Sequence, residues 1–417
     1  IYMDVLKLTT AGSVDDGKST LIGRLLFDSN SISKDQIEAI QKVSDRKGND
    51  YLDLSLLTDG LLAEREQGIT IDVSYKYFTS EKRRFIIADC PGHVEYTRNM
   101  ITGTSDSDLI IILIDARAGI IEQTKRHFYI ASMMEINEVV VCINKMDLVN
   151  YDEATFNKIQ EDFIEMAQRI NGDDSKQTIS FIPISALKGE NIVKKTGNFN
   201  WFNGPTVFDF LENVNLSKRV ENQFRFPVQY VIRPQSEEIT DYRGFAGRVM
   251  SGSINIGDEI TVLPSQKKSK VKQIDVFDQQ QNSLAYKEYG TILLENEIDL
   301  SRGDLMVKTG EEPTLSKEID ATICWVNEAP FQNKKYLIKY GTMQTYCKVS
   351  SVNHKLEIHN LNFEQGDGTI ALNDICKVTL KTAVAMPLDR YDDVKYNGCF
   401  ILVDEQTNMT IASGIIN

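Results

Sequence analysis

Gly12-Ser13-Val14-Asp15-Asp16-Gly17-Lys18-Ser19 fits the pattern G-x-x-x-x-G-K-[ST], a loop whose chemistry is phosphate binding. The two glycines let the backbone turn tightly and approach an anion. Successive backbone N–H groups then face inward and cradle phosphate oxygens. A helix starting near Lys18 adds the positive end of its dipole. Lys18 is placed to reach the β- and γ-phosphates, and the Ser19 hydroxyl to ligate Mg²⁺. The flanks agree: Val5 to Thr10 reads as a strand, and Ser19-Thr20-Leu21-Ile22-Gly23-Arg24-Leu25-Leu26 as an amphipathic helix.

Working outward, apolar strands alternate with helical stretches over the first half of the chain. Val73 to Phe78, Phe85 to Ala88, Leu109 to Asp115, Glu138 to Ile143 and Phe181 to Ile184 read as strands. Glu153 to Ile170 reads as a helix, and Lys34 to Ile40 as a shorter one. This grammar predicts an α/β phosphate-loop domain over residues 1–217, a mostly parallel sheet with helices on both faces. Near residue 218 helical periodicity fades, and short alternating runs such as Phe226 to Ile232 and Glu259 to Leu263 alternate with Gly- and Asp-rich turns. Two all-β barrel domains are predicted, residues 218–313 and 314–417, with Glu311-Glu312-Pro313 as the linker.

Each motif sits at a strand's carboxyl end, where such sheets bind ligands. Asp89-Cys90-Pro91-Gly92 matches D-x-P-G. Asp89 can hold Mg²⁺ through water, and the Gly92 N–H can meet the γ-phosphate only when that group is present. Thr70, within Gly68-Ile69-Thr70, is the second half of the switch. Its hydroxyl completes a predicted metal set of Ser19, Thr70 and Asp89, and its backbone faces the attacking water. His93 follows Gly92 directly, and its neutral imidazole can position that water. Val14 and Ile69 either flank His93 as an apolar gate or simply pack. The candidate catalytic residues are therefore Lys18, Thr70 and His93.

Asn144-Lys145-Met146-Asp147 selects the base. The Asp147 carboxylate can accept from guanine N1–H and the exocyclic amine, a paired donor edge that adenine lacks. Asn144 buttresses the loop and the Lys145 stem covers the purine. Ser185-Ala186-Leu187 supplies backbone N–H groups to guanine O6. The cofactors expected are GTP or GDP and Mg²⁺.

Composition narrows the class further. The 417 residues carry a formal charge of −14 and neither half is basic, which argues against a large nucleic-acid footprint. The six cysteines form no C-x-x-C pair and read as reduced cytosolic thiols. No apolar run reaches the length of a membrane span, and no signal peptide is evident, so the expected location is cytoplasmic. The basic run Gln266 to Lys272 reads as an exposed strand face. Cys90 reads as a packing thiol, and Trp201-Phe202 as packing ahead of a helix.

These motifs in this order, followed by two β domains, resemble the translation-factor superclass of GTPases, which includes elongation factor Tu. Within it, the chain is similar to the GTPase-subunit (CysN) family of bacterial sulfate adenylyltransferase. Asp15-Asp16 stands where translation factors usually have Asp-His, and Gln67, within Glu64 to Asp72, where elongation factors usually have Arg. Phe226 to Val231, Ile298 to Asp304 and Leu388-Asp389-Arg390-Tyr391 carry the resemblance through the β domains. Cys90 departs from that family's usual Thr, and Val94-Glu95 looks more like an elongation factor.

The resemblance implies a GTPase, energy-coupling subunit. A separate small catalytic subunit would form adenylyl sulfate and pyrophosphate from ATP and sulfate, and GTP hydrolysis here would drive that uphill reaction. An adenylylsulfate kinase domain, fused in some relatives, is not expected in a chain ending at Asn417. The alternative is a translation factor carrying aminoacyl-tRNA. Asp15-Asp16, Gln67 and the lack of a basic half discriminate against it.

Overall fold

The computed structural model describes residues 3–46, 52–57, 72–93, 97–172, 176–216, 221–233, 242–277 and 279–417. The chain divides into two units, residues 1–217 with 357–362, and residues 218–356 with 363–417.

Among the described residues, the first unit is a six-stranded sheet flanked by helices. Its strands are β1 (Asp4–Ala11), β2 (Ser74–Thr79), β3 (Arg83–Asp89), β4 (Leu109–Asp115), β5 (Glu138–Asn144) and β6 (Thr178–Pro183), in the order β2-β3-β1-β4-β5-β6. Only β2 runs antiparallel to its neighbour. The helices are α1 (Lys18–Asp28), α2 (Lys34–Arg46), α3 (Thr97–Ser105), α4 (Glu122–Met133), α5 (Glu153–Asn171) and α6 (Val207–Asn213).

Every residue of β4 is buried, as a continuous apolar run between two helical layers requires. Leu21, Ile22 and Leu25 of α1 pack into the same core as Leu6, Leu8 and Leu113, which seats α1 beside the carboxyl ends of β1 and β4. Asp152 caps α5 by accepting from the Thr155 N–H at 2.8 Å, and Thr206 caps α6 by accepting from Asp209. Trp201 packs against Phe156 and donates its indole N–H to the Tyr151 carbonyl at 3.0 Å, a packing role.

The second unit holds two barrels. The first is built from β7 (Phe226–Ile232), β8 (Gly244–Arg248), β10 (Glu259–Leu263), β11 (Lys267–Val276), β14 (Tyr289–Leu294) and β15 (Leu305–Lys308), after the short β9 (Ser253–Asn255), β12 (Gln279–Gln281) and β13 (Ser283–Ala285) are set aside. The order β10-β15-β7-β8-β14-β11 closes because β10 also pairs with β11. The basic run lies on β11, with Lys268, Lys270 and Lys272 exposed on alternate positions.

The second barrel uses β16 (Thr314–Trp325), β17 (Tyr336–Tyr340), β18 (Met343–Glu357), β20 (Ile375–Leu388), β21 (Cys399–Val403) and β22 (Thr410–Ile416), with β19 (Asn362–Gln365) extending β18. It closes through β17–β18. Closure removes the unpaired edges that would otherwise invite aggregation. A buried ion pair joins the barrels: the Arg225 guanidinium donates to both oxygens of Asp389 at 2.7 and 2.8 Å. Asn397 donates to the same carboxylate at 2.6 Å. All six cysteines are free thiols. Among the described residues, no helix is long and apolar enough to cross a membrane.

Candidate functional site

The phosphate loop joins β1 to α1. Gly17 caps α1 in the left-handed region at φ 97°, and a Cβ there would collide with Asn144 Nδ2, so the position admits only glycine. Asp15 is exposed and also left-handed, at φ 70°. Asp16 turns inward, and its carboxylate accepts from the Ser13 N–H at 2.5 Å. Burial raises the Asp16 pKa, with the Ser13 hydrogen bond and Lys18 opposing the rise. Lys18 is buried and donates to the carbonyls of Gly12 and Ser13 at 2.8 and 3.0 Å. Burial lowers its pKa, and the charge of Asp89 acts the other way. Ser19 and Thr20, in the first turn of α1, are half-buried, as is Val14.

The D-x-P-G motif ends β3 against this loop. Asp89 is 1% exposed, and Cys90, Pro91 and Gly92 are buried. A Cβ on Gly92 would run into Lys18 Nζ and stand 2.5 Å from the Gly12 carbonyl oxygen. Glycine here lets the motif lie directly on the phosphate loop. His93 is half-buried. Burial pushes the Cys90 thiol up to about 12, the Thr9 hydroxyl 3.1 Å away opposing, which fits an inert packing thiol. Thr70, with Gly68 and Ile69, lies outside the described residues, as do Gln67 and Val94-Glu95.

Asn144, at the end of β5, is 2% exposed. Its amide donates to the Asp16 carbonyl at 2.7 Å and accepts from the Ala186 N–H at 2.9 Å. One side chain thus ties the phosphate loop to the 185–187 loop. Lys145 is left-handed at φ 63°, and its ammonium lies 3.0 Å from Asp115. Burial alone would raise the Asp115 pKa. The hydrogen bonds of Arg117 and Lys145 outweigh it and hold that carboxyl well below the usual carboxylate range. The Met146 N–H donates to the Ile184 carbonyl at 3.2 Å. The Asp147 carboxylate accepts from the Ser185 hydroxyl at 2.8 Å, with Lys188 Nζ 3.9 Å away. Ser185 and Ala186 are buried, and Leu187 is exposed.

The structure adds residues that the sequence reading did not single out. Gln123 of α4 donates to the Gly92 carbonyl at 3.3 Å and lies 2.9 Å from His127 Nε2. Burial, then Lys18 and Arg126, push His127 down to about 3, so its ring is neutral. The i, i+4 spacing of Gln123 and His127 is visible in the sequence. Arg24 of α1 donates to the Leu187 carbonyl at 2.8 Å, a contact that no local pattern announces.

For Mg²⁺, the Ser19 hydroxyl and the Asp89 carboxylate are hard oxygen donors at the phosphate loop, and Asp89 is buried. Among the described residues, no group of three His, Cys, Asp or Glu side chains could hold a metal. Mg²⁺ needs none when phosphates and water complete its shell, so this donor set fits it.

Phosphate, switch and base loops at the carboxyl edge of one sheet define a GTP-binding domain of the translation-factor type. Residues 3–229 match the family described as "Elongation factor Tu GTP binding domain", and residues 318–417 the "GTP-eEF1A C-terminal domain-like" family. Relatives narrow the assignment. "Sulfate adenylyltransferase subunit 1" of Shewanella woodyi is 45% identical over 416 residues, covering 99% of this chain and 87% of that protein. The protein of the same name in Alteromonas mediterranea is 46% identical over 418 residues, with the same coverage. "Bifunctional enzyme CysN/CysC" of Mycobacterium tuberculosis is 43% identical over 415 residues, covering 99% of this chain and 67% of that protein. The chain belongs to the sulfate adenylyltransferase subunit 1 (CysN) family, and the translation-factor alternative is disfavoured. A solved structure of sup35 complexed with GDP aligns with 100% of this chain and 94% of that one, at 21% identity and a TM-score of 0.43.

Proposed function

We propose that this chain is the GTP-hydrolysing, energy-coupling subunit of a sulfate adenylyltransferase, working in the cytoplasm with a separate small catalytic subunit that binds ATP and sulfate. The anhydride of adenylyl sulfate is less stable than the phosphoanhydride it replaces, so its formation from ATP needs a second source of free energy. Six free thiols fit a reducing compartment.

The observation that carries this reading is the seat of Gly92 on Lys18 and Gly12. Lys18 rests on two loop carbonyls, neutral partners that the charged oxygens of GTP would outcompete. A γ-phosphate entering beside Lys18 meets the Gly92 peptide, so the D-x-P-G segment senses whether the nucleotide is tri- or diphosphate. Ser19 and Asp89, with Thr70, would hold Mg²⁺, whose chemistry when bound is to neutralise phosphate charge. His93, next to Gly92, positions the attacking water. Asp147 reads the N1–H and 2-amino edge of guanine, and the 185–187 loop reads O6.

The test is GTP turnover by this chain alone, then with the small subunit, ATP and sulfate. Hydrolysis is expected to rise when all are present. Turnover that ignores them and responds instead to ribosomes or tRNA would overturn the proposal.

A further inference from the structure

The guanidinium of Arg24 reaches from the second turn of α1, the helix that starts at the phosphate loop, across to the base-reading loop. Its Nη2 donates to the Leu187 carbonyl at 2.8 Å. Its Cδ, Nε and Cζ lie against Gly189, left-handed at φ +73°, within 3.2 to 3.3 Å of where a Cβ would stand. Asp28, one turn on, approaches Nη1 at 3.9 Å.

The peptide unit that carries the Leu187 carbonyl also carries the Lys188 N–H, which donates to the Ser185 hydroxyl at 3.4 Å. Because a peptide unit is planar, holding its oxygen and its N–H together fixes its plane. Ser185 in turn donates to Asp147. The Ala186 N–H donates to Asn144 Oδ1 at 2.9 Å. The Leu187 N–H makes no hydrogen bond among the described residues, so it is the donor left for O6.

We propose that Arg24 is a positioning residue for guanine recognition: by anchoring the Leu187 carbonyl it holds the Leu187 N–H where it reads O6, while Asp147 reads the opposite edge independently. This rests on the guanine-binding reading above. Arg24 acts through the backbone of the 185–189 loop, so its effect falls on the O6 arm of selectivity. A donor left slightly misplaced discriminates less between a good acceptor and a poor one.

The test measures the affinity of the full chain for GDP, 6-thio-GDP and IDP. 6-thio-GDP keeps the Asp147 edge but replaces O6 by sulfur, a weak acceptor. IDP keeps O6 but lacks the 2-amino group. The unaltered chain is expected to bind both analogues more weakly than GDP.

In Arg24→Met, which keeps the stem over Gly189 but has no donor, GDP affinity is expected to fall about threefold to tenfold, the range of one half-exposed charged hydrogen bond. The 6-thio-GDP penalty should shrink while the IDP penalty holds. Arg24→Lys, which retains one donor, should restore part of the O6 selectivity. Thermal unfolding of each variant reports its fold. Unchanged selectivity in Arg24→Met, or an equal loss of both penalties, would overturn the assignment to Arg24. Absence of both penalties in the unaltered chain would overturn the guanine reading itself, and this inference with it.

Discussion

Asn144→Ala removes a side chain that links the phosphate loop to the base loop. Its two hydrogen bonds, at 2.7 and 2.9 Å, are both buried. The substitution leaves the Asp16 carbonyl and the Ala186 N–H, both on buried residues, without that partner. Each such loss costs about 1–3 kcal/mol, so the pair costs about 2–6 kcal/mol. Part of this falls on the fold and part on the nucleotide, because Asp16 and Ala186 belong to the two loops that grip it. If about 2 kcal/mol appears in binding, GDP affinity falls about 30-fold. GTP and GDP should lose affinity equally, since neither contact involves the region of the γ-phosphate. Asn144→Asp preserves shape but sets a carboxylate against the Asp16 carbonyl, and should be at least as damaging. Titration with a fluorescent GDP, alongside urea unfolding, measures both parts. GDP affinity within twofold of the parent with an unchanged urea midpoint, or a loss confined to GTP, would refute the reasoning.

Other residues give sharp expectations. Gly92→Ala drives a methyl group into Lys18 and the Gly12 carbonyl, so kcat for GTP hydrolysis should fall at least about tenfold in a turnover assay; an unchanged kcat would contradict the close packing. Arg225→Ala strands the buried Asp389 carboxylate with Asn397 and should cost about 3–5 kcal/mol in denaturant unfolding. His127, pushed down to about 3 from an ordinary 6.5, stays neutral in the fold and gains a proton on unfolding. Below pH 6.5 its contribution therefore lowers stability as pH falls, by up to about 1.4 kcal/mol per pH unit, until pH 3. His127→Gln should flatten that slope in pH-dependent unfolding curves.

The sheet of the first unit is legible in the sequence because its strands are buried on both faces and read as unbroken apolar runs. Leu109 to Asp115 is the clearest, and it spans β4 residue for residue. Phe226 to Ile232 and Glu259 to Leu263 are also clear, as short runs rich in aromatic and β-branched residues, set off by Gly- and Asp-rich turns. The long β18 escapes such a reading because polar residues such as Gln344, Lys348, Ser350, Ser351 and Asn353 fill most of its exposed positions, and its pairing with β17 and β20, rather than its own pattern, makes it a strand. The start of β16 at Thr314 carries little strand signal for the same reason: its first residues are mostly polar and are held by β20. The phosphate, D-x-P-G and N-K-x-D motifs are legible because their chemistry fixes residue types at short spacing. Arg24 and Gln123 are not, since each acts on the backbone of a loop distant in sequence, and only the fold brings carbonyl and side chain together.

The most direct test of energy coupling uses a nucleotide that only an altered chain can read. In Asp147→Asn the carboxylate becomes an amide, whose donor suits the 2-oxo group of xanthine. Reconstituted with the small catalytic subunit, ATP and sulfate, the parent chain should accumulate adenylyl sulfate beyond the level reached without guanine nucleotide when given GTP. The Asp147→Asn chain should do so with XTP and not with GTP. Accumulation that remains GTP-driven in Asp147→Asn, or that reaches the same level with no guanine or xanthine nucleotide present, would contradict the account.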